Sequence, residues 1–178
     1  MLNTSRKLDL LALFSAIPAS FAFQMNGIIL AWLIYVLAFC AFLEATPKEC
    51  FRRGMLVGIG AGISNFSWIL IGGGRFTGQG VFLSIAIVLG LTIFLALYIG
   101  LIAWIYGKIK WKRKLAPDSY GNLINALIIA CIFVVFDSFM VNVADSFALI
   151  LYVTYIPLAT DSIAIQPASI FGPLFLTG

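Results

Sequence analysis

The chain has no histidine, and only 10% of its 178 residues are charged. Its three cysteines, Cys40, Cys50 and Cys131, form no CxxC pair. These absences give no reason to expect a zinc site, a disulfide framework or a transition-metal centre, and neither metal nor cofactor is expected. The shortage of charge is more informative. A soluble domain carries about 25% charged residues to cover its water-facing surface. Here 62% of residues are hydrophobic. Residues 54–72 and 81–107 hold no charge at all, and a run of about 20 apolar residues crosses a bilayer. The expected class is an all-α, polytopic transmembrane bundle.

Five spans are expected, at about 8–24, 27–45, 54–71, 81–107 and 120–141. They form a single membrane domain over 1–178. The first two read as a helical hairpin turning at "MNG" (25–27). A secretory signal peptide is the weaker reading of the first, because Phe23 and Gln24 follow the small-residue "SFA" at once. The fourth span is longer than a hydrocarbon core of about 30 Å requires, so it should tilt or project. After it comes "KIKWKRK", and after span five no basic residue remains. Residues 145–178 are expected to lie on the outer side. The apolar stretch 147–158 is too short for an ordinary crossing and suits an interfacial or re-entrant segment. The closing "GPLFLTG" looks like the first turn of another helix, so the sequence is expected to be a fragment.

The cations are distributed unevenly. With alternating spans, Arg6, Lys7, Lys48, Arg52, Arg53, Lys108, Lys110, Lys112, Arg113 and Lys114 fall on one side, and Arg75 alone on the other. The positive-inside rule then puts the N-terminus in the cytoplasm and the glycine-rich loop "GGGRFTGQG" (72–80) outside. The basic cluster reads as an orientation signal that also touches anionic headgroups. Nucleic-acid binding is not expected, since no wider basic surface supports it.

Polar marks inside the apolar runs supply the candidate residues. Gly54, Gly58 and Gly62 recur every fourth position and share one helix face. In lipid, such a stripe lets two helices approach closely, so it is expected to be a packing seam. Asn65 lies one turn further on. Its amide either bonds a neighbouring helix, the favoured reading, or lines an outward-opening cavity with Ser64, Ser67 and Trp68. Trp68 also suits the aromatic belt. Asp137 follows "ALIIACIFVVF". An acid at membrane depth usually faces the bundle or a cavity; on that reading it is either protonated or paired with Arg75. A helix end at the interface, with Ser138, Asn142 and Asp145 close behind, is the other. Asn65, Trp68, Arg75 and Asp137 are therefore the candidates for lining a lipid or substrate site.

The order of marks carries a family resemblance. A short hairpin with "FAF" at its turn and "AW" in the second helix is followed by a basic loop. Then come "RRGMLVGIGAGISNFSWI", the loop "GGGRFTG" and the long helix "LGLTIFLALYIGLIAWIY". This resembles the N-terminal membrane region of bacterial apolipoprotein N-acyltransferases, from about Leu10 to Gly172. The resemblance implies a place in the bacterial inner membrane. There the family moves an acyl chain from a phospholipid to the N-terminal cysteine amine of a lipoprotein. A periplasmic nitrilase-like domain performs that chemistry through a Glu, a Lys and a Cys, with a thioester intermediate. In the topology above, Glu44, Glu49 and every lysine are cytoplasmic, so no catalytic residue carries over. Asp137 matches the family's acid near the end of helix five, but the basic residue that follows it there has no counterpart.

The expected partners are membrane phospholipid, a lipoprotein substrate and a nitrilase-like domain, covalent or separate. The resemblance implies a membrane domain that anchors that domain and gives lipid access to it. The alternatives are a stand-alone membrane protein, whether assembly subunit or lipid or small-molecule binder, and a purely structural anchor.

Overall fold

A computed structural model describes residues 4–15, 37–38, 40–43, 45–77, 81–113 and 119–144. Among them almost every residue is helical and there is no strand. The four long elements are α1 (Thr4–Ser15), α2 (Pro47–Thr77), α3 (Val81–Arg113) and α4 (Ser119–Ala144). α2 and α3 form the most extensive pair, with α1 against α2 and α4 against α3. The hairpin turn at 25–27, most of the expected first two spans and the whole of 145–178 fall outside the described residues.

The antiparallel α2·α3 pairing is explained by glycine. A Cβ added at Gly54 would lie 2.7 Å from the Ala103 methyl and 2.8 Å from the Ile99 carbonyl oxygen. At Gly58 it would strike Ala96 backbone and stand 2.7 Å from the Leu95 oxygen. At Gly62 it would meet Thr92 at 2.8 Å. Contacts this close need two smooth helix faces, and α3 answers with Thr92, Ala96, Gly100 and Ala103 at helical spacing. Further down, Gly107 of α3 lies against Pro47 and Cys50 at the start of α2.

The helix boundaries differ from the sequence expectation in two places. α2 begins at Pro47, two turns before Gly54, so Lys48, Arg52 and Arg53 are helical rather than in a loop. Its start is a capping box. The Thr46 N–H and hydroxyl both donate to Glu49 Oε2, at 2.9 and 2.8 Å, and the Glu49 N–H donates back to Thr46 Oγ1 at 3.4 Å. Pro47 stands at the first helical position, where its missing N–H is no loss. At the other end, Gly72, Gly73, Gly74 and Arg75 continue the helix to Thr77 instead of opening a loop. Glycine weakens a helix by only about 1 kcal/mol per residue relative to alanine, a cost that a helix as long as α2 can carry.

Among the described residues, two helices are long and apolar enough to cross a membrane. They are Val81–Trp111, with mean hydropathy 2.7, and Gly121–Phe139, with mean hydropathy 2.1. Their outer faces match that composition. Leu123, Leu127, Val135 and Phe139 are exposed along one stripe of α4, and Leu89, Ile93 and Leu97 along α3. Stripes this wide carry a hydrophobic penalty in water of about 25 cal/mol per Å², a penalty absent in hydrocarbon.

Candidate functional site

Two polar clusters stand out against this apolar background. The first sits between α3 and α4. Asp137 is 1% exposed, and the Tyr98 hydroxyl donates to its Oδ1 at 2.6 Å. Phe136 meets the Tyr98 ring edge-on, with centroids 5.9 Å apart, and Phe94 stacks on it at 6.4 Å. Tyr98 lies about 20 Å along α3 from Trp111 at the usual helical rise, in the middle of the apolar stretch. α4 continues to Ala144, so Asp137 lies within the helix and not at its end. A carboxylate at such depth is expensive unless bonded, and the phenol supplies a bond.

Sequence reasoning missed Tyr98. The available signal was a single phenol in "LTIFLALYIGLIAW", whose hydroxyl needs a partner in a dry setting. Of the other candidates, Asn65, Trp68 and Arg75 lie on α2, but their side chains are outside the described residues. Gly54, Gly58 and Gly62 occupy the α2·α3 contact.

The second cluster lies where α2 begins and α3 ends. Residues 40–42 are helical and the chain turns at Leu43. The carbonyls of this helix end are taken up by two cations. Lys110 Nζ donates to the Phe42, Leu43 and Ala45 oxygens at 2.7, 2.7 and 2.9 Å. Three donors and three acceptors satisfy the ammonium fully. Arg53 Nη1 donates to the Ala41 oxygen at 2.7 Å, and its Nε to Asp9 Oδ1 at 3.2 Å. Arg52 reaches the same carboxylate at 2.9 Å and the Ser5 hydroxyl at 3.3 Å, which ties α1 to α2. Positive charge at a helix C-terminus also complements the helix dipole.

This cluster gathers a Glu, a Lys and a Cys, yet each already has a structural task. Glu49 is the capping acid, and the two Thr46 bonds hold its carboxyl below its ordinary value of 4.5. Lys110 is buried against carbonyls. Cys50 is fully buried; burial raises its thiol to about 11, outweighing the opposing pull of Lys110 and Arg53. A buried neutral thiol is a poor nucleophile. The arrangement fastens helices together and offers no acyl chemistry.

The described structure thus defines an all-helical domain with membrane-spanning capacity and a glycine-locked helix pair. The model for the apolipoprotein N-acyltransferase N-terminal domain matches residues 15–177. The chain belongs to that family. The family and the two apolar helices together point to a membrane protein. No curated protein and no solved structure matches the chain significantly.

Proposed function

We propose that the chain is the membrane-embedded part of a lipoprotein N-acyltransferase-like protein. It anchors a periplasmic acyl-transfer domain, lying outside this sequence, and gives membrane phospholipid access to it. The family match over residues 15–177 carries this reading. The location is the bacterial inner membrane, crossed several times, with the N-terminus in the cytoplasm. That orientation is supported by exposed Arg6, Lys7, Lys48 and Lys108, which gather where α1 meets the start of α2 and the end of α3. Phospholipid and lipoprotein are the partners, and nucleic acid has no part.

On the opposite side, Asn65, Trp68, Arg75 and Asp137 are the residues proposed to line the lipid or substrate path. Asp137 bonded to Tyr98 supports this as the one described carboxylate buried at depth.

The reading frame beyond codon 178 should encode a nitrilase-like domain. The parent protein, reconstituted with phospholipid and a tagged lipoprotein, should then transfer an acyl chain to the N-terminal amine, read by mass shift. Asp137→Asn should reduce that rate at least tenfold with normal membrane levels. A stop codon soon after 178 would instead favour a stand-alone membrane protein. Transfer unchanged by Asp137→Asn would reduce Asp137 to a link between helices.

A further inference from the structure

We infer that the C-terminal part of α3 carries a binding stripe for an anionic phospholipid on the basic side of the bundle. Leu97, Leu101, Trp104, Lys108 and Trp111 follow one another at four- and three-residue steps, so they share a helix face. All five are exposed, Trp111 by 63%. The order along the face is that of a lipid: aliphatic side chains first, then an indole, an ammonium and a second indole. The Lys108 ammonium lies over the Trp104 ring, 5.3 Å from its centroid. That contact orients the charge at the boundary of the apolar stretch without neutralising it. Tryptophan is the residue type that sits at headgroup level.

Charge complementarity fixes the occupant. Among the described residues, the ion pairs at this end are Arg52–Asp9, Arg53–Asp9 and Arg53–Glu49. Lys110 is taken up by backbone carbonyls. Asp9 and Glu49 are therefore already engaged, while Lys108 has an ion pair with neither. Lys108 thus brings to the stripe a positive charge that neither acid balances, and the site favours an anion over a zwitterion. Phosphate and glycerol of the headgroup fit between Lys108 and Trp111, with an acyl chain along Leu101 and Leu97. This inference rests on the membrane reading but not on acyl transfer.

The test uses the full chain with Trp32 and Trp68 replaced by Phe, so that fluorescence reports Trp104 and Trp111. The protein is reconstituted with phosphatidylglycerol brominated on its acyl chains, or with brominated phosphatidylcholine as the zwitterionic reference. Quenching should show the anionic lipid preferred about fivefold at this stripe, equivalent to about 1 kcal/mol for one basic side chain at an anionic surface. Lys108→Gln should bring the two lipids to equality, Lys108→Arg should keep the preference, and raising the salt should weaken it. Lys7→Gln, at the same end but off the stripe, should leave it intact.

Equal quenching by the two lipids in the parent protein would overturn the inference. So would Lys7→Gln matching Lys108→Gln, because a diffuse charge field would then suffice. Loss of the preference in Lys108→Arg would also overturn it. Failure of the chain to reconstitute at all would count against the membrane reading itself, and so is distinguishable.

Discussion

Gly58→Ala is the sharpest perturbation of the fold. The added methyl would stand 2.7 Å from the Leu95 oxygen and strike the Ala96 backbone. Ordinary van der Waals contact begins at about 3.4 Å, so α2 and α3 must part by at least about 0.7 Å. The obstacle is backbone, which cannot swing away as a side-chain tip would. A radial gap of about 0.5–1 Å forfeits a quarter to a half of each contact's attraction. The loss spreads along the seam, because Gly54 and Gly62 are held by the same two axes. Overpacking of this sort costs about 1–3 kcal/mol. The internal control is Gly90, on the same α3 but with nothing within 4 Å of an added Cβ. Gly90→Ala should be neutral or stabilising by up to about 1 kcal/mol, from helix propensity alone. Unfolding in mixed micelles on titration with a denaturing detergent, followed by circular dichroism, measures both. Gly58→Ala as stable as the parent, or no less stable than Gly90→Ala, would refute the idea that close approach holds this pair.

Lys110→Met should destabilise the protein by about 1–3 kcal/mol, the cost of leaving a buried polar group without its hydrogen bond, measured by the same titration. Thr46→Ala should cost about 1 kcal/mol near neutral pH through loss of the cap. Glu49 is held below 4.5 when folded, so its contribution is complete above that value and disappears as pH falls through the lower folded value. The Thr46→Ala deficit should therefore shrink in acid; a deficit independent of pH would separate the cap from the Glu49 charge. With the native cysteines Cys40 and Cys131 replaced by Ser, Cys50 should resist maleimide in the folded protein. A cysteine placed at exposed position 108 should react with an impermeant maleimide only from the cytoplasmic side, and reaction from the periplasm of intact cells would invert the topology.

The helical class of the fold was legible because it depends on composition and on the length of the uncharged apolar runs. A chain with 10% charge has no means of covering a soluble surface. The four-residue spacing of Gly54, Gly58 and Gly62 places them on one face without any structure, but it does not say which helix they meet. The partner residues Thr92, Ala96, Gly100 and Ala103 are hidden in α3 among large aliphatics that mask their spacing. Helix ends were harder. "TPKE" at 46–49 is a readable capping signature, yet hydropathy ignores it, since Lys48, Arg52 and Arg53 look like a loop when only apolar runs are counted. The error at 72–77 ran the other way: glycine reads as a loop and remains helical here. The uptake of Lys110 by the carbonyls of Phe42, Leu43 and Ala45 joins residues more than 60 positions apart. No local pattern encodes such a contact.

α3 is joined to α2 and to α4 by two different physical means. α2 and α3 fit by shape, with backbones close along the glycine seam. Among the described residues α4 shows no comparable seam against α3, and the bond from half-buried Tyr98 to buried Asp137 lies in that contact. In hydrocarbon, water does not replace a lost partner, so the two means respond differently to substitution. Removing only Tyr98's hydroxyl takes one hydrogen bond from a buried acid and should cost more than removing both polar groups together. Tyr98→Phe combined with Asp137→Leu leaves two apolar surfaces, a replacement that is often neutral for buried pairs. A double-mutant cycle in which Tyr98→Phe alone is the more damaging would identify the bond as the constraint α4 must satisfy. Additive single effects would mean that the aliphatic contacts of α4 suffice without it.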